Sequence, residues 1–241
     1  MNTIGILGTG RMGIRLALMF AAARRRVILG SRDIMARSAR IVQELGREEI
    51  TSGTYTEAAT AEFVLPAVFL RDGLLDTLEP LRHQLDDKVY IDISNPFNHD
   101  YSDFILPWDT SGAEQIQHRF PKTRVVGAFK NVWWEVFDSP QFGDTLSDVF
   151  VVSDDIPAKT EFFSLVEGTP FRYIDAGRMS NARTIERMTL LCGELGQRYG
   201  FFPRMNYKLL EEPWIPQAMR SPSTNYCIKL LGCLKNPSLN R

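Results

Sequence analysis

Short apolar runs alternate with segments of helical periodicity along most of the chain. Apolar runs at 4–7 and 27–29 flank a segment at 14–23 whose apolar residues recur with helical spacing. Similar runs predict strands at 50–56, 63–69, 88–93, 124–129, 147–152 and 171–174, and helical patterns occur at 34–45, 57–61, 71–85, 113–120, 159–167 and 180–199. Strands that alternate with helices across short connections favour an α/β fold with a doubly wound, mostly parallel sheet.

Three stretches depart from this alternation. Pro66 lies inside the fourth run and cannot donate to a strand ladder, so we expect the strand to end near it. Residues 98–112 have no pattern, which is typical of a functional or mobile loop. The C-terminal end is rich in proline, and only 227–234 has the pattern of a short helix. The predicted organisation is a domain over 1–200 that ends in C-terminal helices, then an irregular tail over 201–241.

The first apolar run ends in a glycine-rich turn. Gly8, Gly10 and Gly13 have the GxGxxG spacing, between a predicted strand and a predicted helix. Gly8 permits the tight turn, Gly10 lets a pyrophosphate approach the backbone, and Gly13 lets the helix pack close to the strand. The helix N-terminus then offers free N–H groups to phosphates. The pattern predicts the first half of a dinucleotide-binding βαβ unit, and an ordinary strand-to-helix turn is the alternative.

The end of the second predicted strand indicates which dinucleotide would bind. NAD-binding units usually carry an acidic residue there, whereas a cation suits the 2′-phosphate of NADP. This chain has Ser31 and Arg32, and a guanidinium binds phosphate through two parallel hydrogen bonds. Asp33 follows and is interpreted as a helix N-cap. The sequence therefore predicts NADP, and the alternative for Arg32 is a solvated surface cation.

Composition and charge exclude several classes of function. The 241 residues carry a formal net charge of −1, which gives no electrostatic reason to expect a nucleic-acid or membrane partner. No apolar run approaches the length that spans a bilayer, and no secretory leader precedes the first strand. Cys192, Cys227 and Cys233 have neither metal-ligand nor disulfide spacing. We expect a cytoplasmic protein without a metal, with Cys192 as a buried hydrophobic residue.

Several motifs in order resemble one family, the NADPH-dependent F420 reductases, which are single-domain Rossmann enzymes that pass hydride between NADP and the deazaflavin coenzyme F420. The markers are the glycine turn at 8–13, Gly-Ser-Arg at 30–32, Asn95-Pro96, Val-Gly-Ala-Phe at 126–129, Asp-Ala-Gly at 175–177 and Ser-Asn-Ala-Arg at 180–183. The resemblance runs over about residues 3–199. A more distant likeness exists to the reductase domain of membrane metalloreductases.

The resemblance implies roles for the matched positions. Thr9, Arg11, Ser31 and Arg32 would hold the adenosine phosphate end of NADP, and Gly10, Met12 and Gly13 would follow the pyrophosphate. Ala67, Val68, Asn95 and Pro96 would lie at the nicotinamide end, and Gly8 and Ala128 are further candidate cofactor-binding residues. These positions follow predicted strands, and open α/β sheets bind ligands at the carboxyl ends of strands. A structural turn is the alternative for Asn95-Pro96.

The chain departs from the family pattern after the sixth strand. Family members usually carry Asn-Thr and small residues there, whereas this chain has Lys130 and Asn131, followed by Val132, Trp133 and Trp134. In one interpretation the tryptophans offer a flat face to a ring system and Lys130 pairs with an anionic ring or carboxylate. In the other, the tryptophans fill core space beneath the tail and Lys130 is solvated.

Hydride transfer needs mainly geometry from the protein, because the cofactor supplies the chemistry. A carbonyl or imine acceptor would also need a proton donor, for which Lys130 and His99 are the candidates. The leading hypothesis is an NADP-dependent oxidoreductase that transfers hydride between NADPH and F420. The alternatives are a reductase of another small carbonyl or imine acceptor and a non-catalytic NADP-sensing protein. The resemblance also implies a homodimer, through 180–199 and the tail.

Overall fold

A six-stranded parallel sheet forms the centre of the molecule. The computed structural model describes residues 2–32 and 37–211, and its compact unit is Met1–Lys208. The strand order is β3-β2-β1-β4-β5-β6, and all neighbouring strands are parallel. The strands are β1 (Thr3–Leu7), β2 (Arg26–Ser31), β3 (Ile50–Thr54), β4 (Phe63–Pro66), β5 (Val89–Asp92) and β6 (Arg124–Gly127). This is the Rossmann order, and the predicted α/β class is confirmed.

Helices flank both faces of this sheet. Over the described residues the α-helices are α1 (Arg11–Ala22), α2 (Ala39–Leu45), α3 (Tyr55–Ala58), α4 (Leu74–Leu78), α5 (Arg82–Leu85), α6 (Gly112–Arg119), α7 (Trp134–Asp138), α8 (Ile156–Leu165) and α9 (Ala182–Tyr199). Alternate residues of β1 enter opposite cores: Ile4 and Ile6 pack in one cluster of buried residues and Leu7 in the other. The sheet is therefore covered on both sides, as expected for a doubly wound fold.

The stretch 71–85 is helical, as predicted, but it is not one continuous helix. This stretch is divided into two 3₁₀ turns, Leu70–Asp72 and Glu79–Leu81, which alternate with α4 and α5. Gly73, at the start of α4, has φ of +82°, a left-handed conformation that interrupts the first turn. Pro80 lies at the start of the second 3₁₀ turn, where its missing N–H breaks the α-helical hydrogen-bond pattern.

The last two predicted strands do not extend the main sheet. They are β9 (Asp148–Val151) and β10 (Arg172–Asp175), which pair with each other in parallel. An isolated antiparallel bridge between Gly127 and Val152 joins this pair to the end of β6. A short hairpin of β7 (Gln141–Phe142) and β8 (Thr145–Leu146), which the sequence pattern did not indicate, precedes them.

Strand β4 ends at Pro66, as predicted. The pairing between β4 and β5 covers only Phe63 with Val89 and Val64 with Tyr90. On the other side, β4 follows β1 as far as Pro66, and Ala67 N then donates to Leu7 O at 2.8 Å. The strand order reverses between β1 and β4, and open α/β sheets bind ligands at such a topological switch point.

The chain continues past α9 on the surface of the same unit. The ring of Phe202 lies 5.0 Å from that of Trp133, and Asn131 Nδ2 donates to Asn206 Oδ1 at 2.9 Å.

The predicted division of the chain at residue 200 stays a prediction. The expectations for 227–234, Cys227, Cys233 and the Asp33 cap lie outside the described residues. Within 2–32 and 37–211, no helix is long and apolar enough to cross a membrane.

Candidate active site

The glycine turn between β1 and α1 has a geometry that other residues would disturb. Gly8 has φ of +129°, which residues with a side chain rarely adopt, and a Cβ on Gly13 would lie 2.0 Å from Gly8 O. Gly10 differs, because a Cβ there would meet no described atom within 4 Å. Gly10 is also the N-cap of α1, and because it has no side chain it cannot cap the first N–H groups of the helix. The turn is therefore closely packed at Gly8 and Gly13 and open at Gly10, where the helix N-terminus is suited to bind phosphate.

One cavity lies on the β2 side of this turn. Its volume is about 500 Å³, and it brings together the predicted Thr9, Ser31 and Arg32. A second guanidinium, that of Arg37, also lines it and was missed by sequence reasoning. The signal was a second arginine close behind Arg32, at the start of the next helical pattern. The remaining lining residues are Gly8, Gly10, Tyr55, Ala67, Val68, Phe69 and Asp72.

A second cavity, of about 180 Å³, lies on the β5 side of the turn. It includes the predicted Gly10, Met12, Ala67, Val68 and Asn95. Sequence reasoning missed several other wall residues, namely Phe69, Ile93, Ser94, Phe97, Tyr101, Val132 and Thr189. The two cavities share Gly10, Ala67, Val68 and Phe69, so an extended dinucleotide has a continuous surface from one to the other.

Arg11 belongs to the second cavity and does not line the cavity of Ser31 and Arg32. Its guanidinium carbon lies 4.4 Å from the ring centre of Trp134, a cation–π contact. The role predicted for Arg11 at the adenosine phosphate end stays a prediction. Its position is at the wall of the cavity that contains the tryptophans.

Besides Lys130, four predicted site residues are not among the lining residues of either cavity. Gly13, Pro96 and Ala128 are buried and are not among the lining residues of either cavity. His99 is exposed in the turn that follows β5. Their assigned roles stay predictions, although Gly13 has the close contact with Gly8 that the helix–strand packing requires.

The loop at 98–112 begins with an ordered segment that forms one wall of the second cavity. The Arg71 guanidinium lies between two aromatic rings, 4.4 Å from the centre of Phe69 and 4.3 Å from that of Tyr101. The same guanidinium donates to the carbonyls of Phe97 and Asn98. Arg71 therefore ties the loop to the segment after β4.

Trp133 and Trp134 combine features of both interpretations. Both line the second cavity, as expected of a flat face for a ring. Trp133 is nevertheless 7% exposed and packs so closely on α9 that a Cβ on Gly193 would lie 2.8 Å from its ring. Its ring also stacks on Phe97 at 5.9 Å. Trp133 is therefore a core residue with one face on the cavity.

Lys130 is fully buried, so the interpretation in which it is solvated is wrong. Its side chain is 1% exposed, and its Nζ lies 2.5 Å from Asp92 Oδ2 and 2.8 Å from Glu186 Oε1. Nζ also donates to Ser94 O at 2.5 Å. Lys130 thus pairs with Asp92 and Glu186 of the protein itself, and not with an anionic ring or carboxylate of a ligand. Its predicted role as a proton donor stays a prediction.

Burial and charge act in opposite directions in this cluster. Desolvation opposes the ammonium of Lys130, but the attraction of Asp92 and Glu186 outweighs it and raises the pKa of Lys130. Burial raises the pKa of Glu186, and nearby Asp92 adds to this effect while Lys130 opposes it. The two carboxyl groups therefore favour the charged form of Lys130.

A glycine turn, a helix N-terminus and two adjoining cavities at the switch point define a Rossmann dinucleotide-binding protein. A family model described as NADP oxidoreductase coenzyme F420-dependent matches residues 3–96. The F420-dependent NADP reductase of Methanothermobacter thermautotrophicus is 33% identical over 210 residues, which cover 79% of this chain and 87% of that protein. The chain belongs to this family of F420-dependent NADP oxidoreductases, and the predicted resemblance is confirmed.

Two further similarities agree with the sequence reasoning. A crystal structure of a putative F420-dependent NADP-reductase from Arthrobacter sp. FB24 matches with a TM-score of 0.77 at 24% identity, covering 88% of this chain and all of that one (100%), which shows the fold. Human Metalloreductase STEAP2 is 26% identical over 189 residues, which cover 78% of this chain and 36% of that protein. The more distant likeness to metalloreductases is thus also found.

Proposed function

We propose that this chain transfers a hydride between NADPH and coenzyme F420. The observation that carries the proposal is the pair of adjoining cavities at the switch point, in a chain whose relatives include F420-dependent NADP reductases. One cavity has two guanidinium groups and a hydroxyl for a phosphate, and the other has aromatic walls suited to planar rings.

The residues present fit NADP. The open space above Gly10 admits a pyrophosphate, and the first N–H groups of α1 are available to hold it. Ser31, Arg32 and Arg37 would bind the 2′-phosphate. Asn95 Oδ1, buried without a hydrogen-bond partner among the described residues, would accept from an amide N–H of the bound ring.

NADPH, when bound, supplies the hydride. The protein's part is to orient the two rings and exclude water, which the walls formed by Phe69, Tyr101, Trp133 and Trp134 would do.

Mixing the protein with NADPH and oxidised F420 tests the proposal. We expect the absorbances of both to fall together. Tight NADPH binding without reaction would contradict it and favour another acceptor or an NADP-sensing role.

Arg32→Ala is expected to weaken NADPH binding selectively. Loss of a charge-assisted hydrogen bond to the 2′-phosphate should cost about 1.5–3 kcal/mol, or roughly tenfold to a hundredfold in Kd. NADH lacks that phosphate, so its Kd should not change. Titrations of nicotinamide fluorescence measure both constants. Arg40→Ala, an exposed arginine on α2 paired with Glu44, is the matched control. Equal losses for NADPH and NADH would show that Arg32 is not a 2′-phosphate ligand.

We infer that α9 forms the contact of a homodimer. Leu191, Leu195 and Tyr199 recur every four residues on α9 and are 49%, 37% and 63% exposed. Leu195→Glu is expected to convert a dimer into a monomer, as measured by light scattering with size-exclusion chromatography. Lys122→Glu, a charge change at an exposed position outside α9, should leave the dimer intact. A monomeric wild-type protein at micromolar concentration would contradict this inference.

A further inference from the structure

Lys130 contacts three residues of the second cavity without lining that cavity itself. Its Nζ donates to Ser94 O, and its own carbonyl oxygen accepts from Asn95 Nδ2 at 2.8 Å and from Thr189 Oγ1 at 2.9 Å. Ser94, Asn95 and Thr189 all line the cavity. The buried Lys130 thus contacts Ser94, Asn95 and Thr189, which together are called the cavity floor.

The charge cluster fixes Lys130 in this position. Its ammonium donates to Ser94 O and to Glu186 Oε1, and it forms a buried ion pair with Asp92, whose Oδ2 lies 2.5 Å away. Glu186 also accepts from Gly112 N at 3.0 and 3.1 Å. The cluster therefore connects the end of β5, the segment after β6, the start of α6 and the second turn of α9.

We propose that Lys130 is a positioning residue, which orients the amide of Asn95 so that its Oδ1 accepts an N–H from the ring bound at the nicotinamide end. Asn95 Nδ2 donates to the carbonyl of Lys130, and Oδ1 is buried without a hydrogen-bond partner among the described residues. A ligand that satisfies it must present an amide-type donor, as the nicotinamide carboxamide does. The proposal rests on the proposed function and assigns to Lys130 a role other than proton donation.

Replacing Lys130 by Met distinguishes positioning from proton donation. Lys130→Met leaves two carboxyl groups buried together without a cation, so the cavity floor should shift and the Kd for NADPH should rise about tenfold or more. Lys130→Met/Glu186→Gln removes one of those carboxyl groups, and we expect it to restore the Kd to within about threefold of wild type. A lost proton donor would not be restored in this way. Unchanged NADPH affinity in Lys130→Met would overturn the proposal.

Lys159 offers a matched control. Its side chain is 6% exposed, and Nζ binds Asp175 at 2.8 Å and Gly177 O at 2.9 Å, outside both cavities. Lys159→Met should lower the midpoint of urea unfolding without changing the Kd for NADPH. An equal rise of Kd in Lys159→Met would mean that any loosening of the fold weakens binding, and would also overturn the proposal.

Asn95→Ala tests the amide contact with the charge cluster intact, so it is informative even if Lys130→Met fails to fold. We expect the Kd for NADPH to rise about tenfold in this variant, and unchanged affinity would overturn the proposal. These readouts are binding constants. They therefore remain valid if the wild-type protein binds NADPH but does not reduce F420, a result that would reject the proposed function alone.

Discussion

Gly5→Ala is expected to lower the free energy of unfolding by about 3 kcal/mol or more. A Cβ on Gly5 would lie 1.7 Å from the carbonyl oxygen of Ala58 and 2.5 Å from its carbonyl carbon. These are backbone atoms that cannot rotate away. Gly5 also lies in β1, which is paired with β2 on one side and β4 on the other, so the strand cannot move to relieve the contact.

Urea unfolding followed by circular dichroism measures this loss. Gly10→Ala is the control, since its new methyl group would contact no described atom within 4 Å. We expect its unfolding midpoint to stay close to that of wild type. A Gly5→Ala protein as stable as wild type would mean that α3 does not pack on β1 as closely as the structure shows.

Gly10→Ala is expected to fold normally and yet lose at least about tenfold in affinity for NADPH. Gly10 lines both cavities and forms the N-cap of α1, so a methyl group there would occupy the space through which a pyrophosphate reaches the helix N–H groups. Fluorescence titration with NADPH gives the Kd, and the unfolding midpoint shows that the fold is intact. A folded variant with wild-type affinity would show that the dinucleotide does not cross the turn at Gly10.

Local features of the fold could be predicted from the sequence because their causes lie close together in the chain. The glycine turn follows from three glycines between a strand and a helix, and the end of β4 follows from the missing N–H of Pro66. The helical character of 71–85 followed from its apolar spacing, but that spacing does not indicate where the helix is interrupted. Gly73 and Pro80 are the residues that indicate where the helix is interrupted.

The interior of the candidate site could not be predicted, because its contacts join distant parts of the chain. Lys130 pairs with Glu186, 56 residues later, and nothing near Lys130 in the sequence indicates that its ammonium is buried. In the same way, the position of Trp133 depends on the space left by Gly193 on α9. The glycine motif and the family resemblance indicated the candidate dinucleotide site, whereas the buried contacts of Lys130 became visible only in three dimensions.

Direct transfer of a labelled hydride tests the central claim most directly. NADPH that carries deuterium at both positions of the nicotinamide C4 is mixed with oxidised F420 and a catalytic amount of the protein in ordinary water, and the reduced F420 is analysed by mass spectrometry. The proposed function predicts that reduced F420 gains deuterium from NADPH, because the hydride passes between adjoining rings without exchange with water. Reduced F420 without deuterium, or bound NADPH that is never oxidised, would contradict it.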